Sequence, residues 1–184
     1  DSLSIRVGMI FTRVPLSPNQ WTMVTFIPAL LGFAAEYYGN IHAAVVLFAI
    51  TAFIDIIDGA VARVSGHVTK LGAFLDTIVD RYIEFIMIAA ILFVNLPNFY
   101  FPVYIWLLLL LFGSMMSTYA KSASAEKSIS KENVRGIRGG ILEHSDRMIL
   151  LFLVFPLTVV IDKMYVTYLV ALMAVLSNVS AFQR

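Results

Sequence analysis

The chain has no cysteine in its 184 residues, and only 14% of them are charged. Without cysteine there is no disulfide framework and no thiolate metal site. The scarcity of charge excludes the ordinary soluble domain, which carries roughly 25% charged residues, and a disordered chain is far less apolar than this one. Thirteen basic residues against twelve acidic ones leave a net charge of +1. No basic tract is present to hold nucleic acid, which is therefore not expected as a partner. No signal-peptide pattern precedes Asp1, so the chain reads as a piece of a longer one. What is abundant is apolar: 60% of residues are hydrophobic and 13% aromatic. The expectation is an integral membrane protein built only of helices, in contact with membrane lipid.

Crossing a bilayer as a helix takes about 20 mostly apolar residues, and six stretches approach that length, at roughly 19–38, 42–65, 70–94, 100–121, 141–161 and 164–182. The reading is a single all-α polytopic membrane domain over 1–184, with a six-helix transmembrane bundle over 19–182. Residues 1–15 are read as an interfacial amphipathic helix, since Leu3, Ile5, Val7, Ile10 and Phe11 alternate loosely with Ser2, Ser4, Arg6 and Arg13. Ser17-Pro18-Asn19 is a turn and cap into the first span. Threading six spans puts Arg6, Arg13, Arg63, Lys70, the basic residues of 121–147 and Arg184 on one side and Lys163 alone on the other. In a cell membrane, that bias places both ends of the chain and its polar machinery in the cytoplasm.

The charges that remain are concentrated where a membrane tolerates them least. Residues 55–80 read DIIDGAVARVSGHVTKLGAFLDTIVD, with four aspartates at the ends of two apolar helices. An ionised side chain near the middle of a span costs on the order of 2.5–3.5 kcal/mol on insertion scales, so such a residue normally faces a polar cavity and has a partner. Asp55 and Asp58 share one helical face at i,i+3, and Gly72, Asp76 and Asp80 share another at i,i+4 steps. Arg63, Lys70 and Arg81 are too few to satisfy all these oxygens. A divalent cation would satisfy them, and all-carboxylate ligation favours Mg²⁺ or Mn²⁺, with two ions able to share bridging carboxylates. Gly59, Ala60, Ala62, Gly72 and Ala73 leave room beside the carboxylates for a base or sugar, or simply let the helices approach. Arg81 and Glu84, at i,i+3, read as a structural ion pair. On these residues alone a divalent metal-ion transporter remains an alternative to an enzyme.

The pattern Asp55-x2-Asp58-Gly59-x2-Ala62-Arg63-x8-Gly72-x3-Asp76-x3-Asp80 resembles, at all eight positions, the signature of the CDP-alcohol phosphotransferases. The six-helix plan and the segment Pro18-Asn19-x2-Thr22 look like that family's layout as well. The resemblance implies metal-dependent transfer of a phosphatidyl-type group from a CDP-alcohol to a hydroxyl acceptor, with release of CMP. It implies Asp55, Asp58, Asp76 and Asp80 as ligands of two divalent ions and Asp80 as the base for the acceptor hydroxyl. It also implies a CDP-alcohol site of Asn19, Thr22, Asp58, Gly59, Ala62, Arg63, Thr69 and Gly72, and a homodimer. Tyr119-x-Lys121-Ser122 and Glu143-x2-Asp146-Arg147 look similar to the branch that makes phosphatidylinositol phosphate or archaetidylinositol phosphate. An acceptor with its own phosphate would need cations, and Lys121, Arg135, Arg138 and Arg147 are the candidates, although topology alone also explains basic residues there.

Overall fold

The computed structural model describes residues 9, 11, 12, 14, 16–65, 69–126 and 140–183. Most of the expected interfacial helix, Arg135 and Arg138 lie outside the described residues, as do the side chains of Ala62 and Arg63. The described chain is helical without a strand: α1 Pro18–Val24, α2 Phe26–Tyr37, α3 Ile41–Ser65, α4 Lys70–Ile91, α5 Val103–Glu126, α6 His144–Val160 and α7 Lys163–Phe182. It divides into two compact units, Asp1–Ala90 and Ile91–Arg184.

In the first unit, Ser17 caps α1 reciprocally with Gln20. The Gln20 N–H donates to the Ser17 hydroxyl at 3.3 Å, and Gln20 Oε1 accepts from the Ser17 N–H at 2.8 Å. The expected first span is not one uninterrupted helix. Pro28 has no N–H to give the Val24 carbonyl four residues back, and the helix breaks at Thr25, leaving Pro28 in the first turn of α2 where it is tolerated. The Thr25 hydroxyl turns back onto the Thr22 carbonyl and closes α1. At the far end Gly39, at φ +77°, lets the Asn40 N–H reach the Ala35 carbonyl at 2.8 Å, after which Asn40 Oδ1 accepts from Ala43 N–H at 3.1 Å and starts α3. Phe48 of α3 then packs flat against Gly32 of α2, where an added Cβ would lie 3.0 Å from its ring. Trp21 of α1 is buried with Ile57 and Val61 of α3, and Phe11 meets the Trp21 ring edge-on at 5.7 Å. Val79, Ile83, Ile86, Met87 and Ala90 form the buried stripe of α4, repeating at helical spacing.

In the second unit α5 lies against α7 through small and polar residues. A Cβ on Gly113 would stand 2.7 Å from the Asn178 backbone nitrogen, so only glycine permits this approach. Asn178 Nδ2 donates at 2.8 Å both to the Leu109 carbonyl on α5 and to Ala174 on its own helix. Ser180 Oγ accepts from the Leu142 N–H at 2.9 Å ahead of α6. Asp162 caps α7, and Lys163 Nζ next to it and the Thr167 hydroxyl a turn further on hold the 92–102 segment by the carbonyls of Val94 (3.0 Å) and Pro97 (2.9 Å). Phe99, Trp106 and Tyr168 pack beside this clasp, with exposed Tyr165 next to Tyr168, an aromatic cluster suited to a membrane–water boundary.

Among the described residues, three helices are long and apolar enough to cross a membrane, over Ile41–Val61, Val103–Ser124 and Lys163–Phe182. The other expected spans fall short of that criterion for visible reasons. α1 and α2 are separated by Thr25, α4 carries Lys70, Asp76, Asp80, Arg81 and Glu84, and α6 is 17 residues long. Large apolar side chains are exposed on every long helix, including Ile50 and Phe53 on α3, Leu108 and Phe112 on α5, and Leu172 and Val175 on α7. Such surfaces belong in lipid, and the chain is an integral membrane protein.

Candidate functional site

The carboxylates meet where α3 ends and α4 begins. Thr69 starts α4: its hydroxyl accepts from the Gly72 N–H at 2.9 Å, and its carbonyl from the Ala73 N–H at 3.0 Å. Starting the helix there puts Asp76 and Asp80 on one face a turn apart, both half-buried. Asp55, near the end of α3, is exposed, and one carboxylate oxygen from each of Asp55, Asp76 and Asp80 lies within 4.8 Å of the others. Oxygen ligands sit about 2.0–2.6 Å from Mg²⁺ or Ca²⁺, so two on opposite sides of one ion are about 4–5 Å apart. The three aspartates thus have the spread of a single coordination sphere.

Asp58 takes a different place. It is 5% exposed, next to the group of three, close enough to Asp55 and Asp76 for their charges to act on it. The Thr22 hydroxyl of α1 hydrogen-bonds its side chain. Its Oδ2 is buried with no hydrogen-bond partner among the described residues. A buried carboxylate beside two others, with one oxygen unmatched, costs several kcal/mol unless something positive completes it. The donor set is therefore one that a hard divalent cation fits.

The residues read as lining a CDP-alcohol site are partly assembled. Asn19 Oδ1 and Thr69 Oγ1 both crowd Gly72, at 3.0 and 3.1 Å from where its Cβ would be. Gly72 is thus a point of close approach between α1 and α4, and an alanine there would have to push one of two polar side chains aside. Thr22 is buried, turned to Asp58, and Gly59 is half-buried one residue after it. Ala62 and Arg63 lie on α3 within the same turn and the next.

Arg81 and Glu84 form the expected ion pair at 2.6 Å, with Glu84 1% and Arg81 11% exposed by side chain. Of the cations read as acceptor contacts, Lys121 is exposed on the last turns of α5. Arg147, in the first turns of α6, is 1% exposed and heads the fully buried side chains by volume. That burial differs from the open cation that an acceptor phosphate would meet on a surface. Sequence reading also passed over Trp21, whose packing on Ile57 and Val61 seats α1 beside Asp58. The available signal was the i,i+4 spacing of Ile57 and Val61 opposite a lone tryptophan.

Residues 16–180 match the family model described as CDP-alcohol phosphatidyltransferase. The chain is 30% identical over 179 residues to the archaetidylinositol phosphate synthase of Pyrococcus horikoshii, covering 97% of this chain and 87% of that protein. Among solved structures it resembles the phosphatidylinositol phosphate synthase of Mycobacterium tuberculosis. With CDP-DAG bound, that structure gives a TM-score of 0.80 at 22% identity, covering 100% of this chain and 92% of the other. In complex with manganese and citrate it gives 0.79 at 23% identity, covering 98% and 86%. These last two likenesses establish a shared fold. The match gives the transporter reading no support, and the enzyme reading stands on the full run of helices that carries the eight-residue signature: the chain belongs to the CDP-alcohol phosphatidyltransferase family.

Proposed function

We propose that this transferase uses its four aspartates as a divalent-metal centre and takes a phosphorylated acceptor of the inositol phosphate kind. The observation that carries the metal reading is the gathering of Asp55, Asp76 and Asp80 oxygens within 4.8 Å beside the buried Asp58. Mg²⁺ or Mn²⁺ suits this all-oxygen set, and four carboxylates are enough for two ions. A bound divalent cation there supplies positive charge for the pyrophosphate of the CDP-alcohol and for the departing CMP.

The chain's own residues do the rest. Asp80 accepts the proton of the acceptor hydroxyl. The acceptor oxygen forms a bond to the phosphorus that bears the lipid alcohol, the P–O bond to CMP breaks, and CMP leaves with its phosphate. Of the residues that the resemblance assigns to the donor site, Asn19, Gly59, Ala62, Arg63, Thr69 and Gly72 meet the nucleotide, with glycines where a backbone must come close, and Thr22 and Asp58 serve it through the metal centre. Lys121, Arg135, Arg138 and Arg147 are proposed for the acceptor phosphate, a reading supported by the likeness to the archaetidylinositol phosphate synthase. The six apolar stretches are read as six spans, with 1–15 an interfacial helix, the basic side facing the cytoplasm, and two copies forming the homodimer.

The test is CMP release by the purified chain from CDP-diacylglycerol or CDP-archaeol, with inositol phosphate or inositol as acceptor and with Mg²⁺, Mn²⁺ or EDTA. The expected result is release that needs both a divalent ion and the phosphorylated acceptor. Equal rates with inositol would remove the acceptor assignment and leave the transferase. Undiminished release in EDTA would remove the metal centre.

A further inference from the structure

We propose that Thr22 is a positioning residue for Asp58, acting on the metal centre through that carboxylate and not by contact with the nucleotide. The inference rests on the reading of Asp58 as a metal ligand. Thr22 is 6% exposed, and its side-chain hydrogen bond goes to Asp58. The Thr22 side chain and the Gly59 backbone both hydrogen-bond the Asp58 carboxylate, while its Oδ2 has no hydrogen-bond partner among the described residues. The carboxylate is thus tied to α1 and still has an oxygen to offer a cation.

The local fold explains why the hydroxyl arrives there. Trp21 packs on Ile57 and Val61, the residues immediately before Asp58 and three after it, so burying the indole fixes α1 against this turn of α3. The next residue along, Thr22, is thereby set opposite Asp58. Its carbonyl accepts the Thr25 hydroxyl, at the residue that ends α1. A carboxylate ligand left to rotate would lose part of its affinity for a cation to rotamer freedom, and Asp55 and Asp76 nearby would push it away from the centre when no cation is bound. Hydrogen-bond partners of ligand side chains typically set metal affinity by about 10–100-fold.

The experiment compares the intact chain with T22V, T22S, D58N and the T22V/D58N double variant, reading Mn²⁺ binding by electron paramagnetic resonance and CDP-diacylglycerol binding separately at saturating Mn²⁺. Valine keeps the shape of threonine and deletes the hydroxyl, and T22A serves in its place should valine not fold. T22V should weaken Mn²⁺ binding by about 10–100-fold, T22S should recover most of it, and T22V should cost nothing more once D58N is present. Loss of CDP-diacylglycerol affinity with Mn²⁺ affinity unchanged would make Thr22 a nucleotide contact and overturn the proposal, as would full additivity with D58N. If D58N itself leaves Mn²⁺ binding intact, Asp58 is no ligand, and the reading beneath the proposal fails with it.

Discussion

The two units use their polar side chains differently. Between α5 and α7, Asn178 spans the helices to the Leu109 carbonyl, Ser180 takes the Leu142 N–H, and Lys163 and Thr167 clasp the carbonyls of Val94 and Pro97. Each of these groups is matched to the backbone, so it holds the unit together. Between α3 and α4 three carboxylates of one sign are gathered, and a fourth keeps a buried oxygen without a hydrogen bond among the described residues. Like charges at such distances repel, and the first unit accepts that cost where the second avoids it. In a membrane protein, then, a gathering of like-charged side chains marks a site better than burial of polar groups does.

Breaking the site should cost turnover and spare stability. The largest expected effect is Asp80→Asn, with kcat for CMP release lowered by about 10²–10⁴-fold and CDP-alcohol binding nearly unchanged, as expected for a lost base. Equal losses in the two quantities would make Asp80 one more ligand. Asp76→Asn should lower turnover by about 10²–10³-fold and shift the Mg²⁺ dependence to higher concentration. Its thermal midpoint without metal should hold or rise, because one of the crowded charges is gone; a fall would count against the repulsion.

The acceptor cations come next. Lys121→Gln or Arg147→Gln should raise the KM for inositol phosphate by roughly 10- to 150-fold, the worth of a charge-assisted hydrogen bond, and leave the KM for inositol alone. Because Arg147 is buried, its variant is also expected to lower the thermal midpoint, which Lys121→Gln should not do. If neither variant separates the two acceptors, the phosphate assignment is lost.

The smallest effects on activity belong to the second unit, where the comparison turns round. Gly113→Ala should destabilise the protein by about 1–3 kcal/mol through overpacking against Asn178, with Mn²⁺ affinity unchanged. Lys163→Met should cost less still, about 1 kcal/mol for one hydrogen bond, again without effect on CMP release at permissive temperature. A loss of Mn²⁺ affinity in either variant would mean that the second unit is part of the metal centre.

Much of this could be read along the chain. An α-helix turns through a fixed angle per residue, so Asp76 and Asp80 had to share a face, Arg81 could reach Glu84, and Ser17-Pro18 with Gln20 had to begin a helix whatever the rest of the molecule did. Length and apolarity likewise located each of the long helices to within a few residues, because a bilayer admits few alternatives. What spacing could not decide was the rotation of one helix against another. That Asp55 joins Asp76 and Asp80 depends on how α3 meets α4, and that Asp58 turns to Thr22 depends on how Trp21 seats α1 on Ile57 and Val61. The break at Thr25 and the burial of Arg147 are of the same kind. Pro28 removes one hydrogen bond and so favours a break near Thr25, and the Thr25 side chain is buried where the chain bends. Arg147 stands among residues that read as a polar connection, and only the packing of α6 withdraws it from solvent. Period within a helix is a local property of the backbone, whereas the contact between helices is settled by side chains distant in sequence, and that contact decides which oxygens meet.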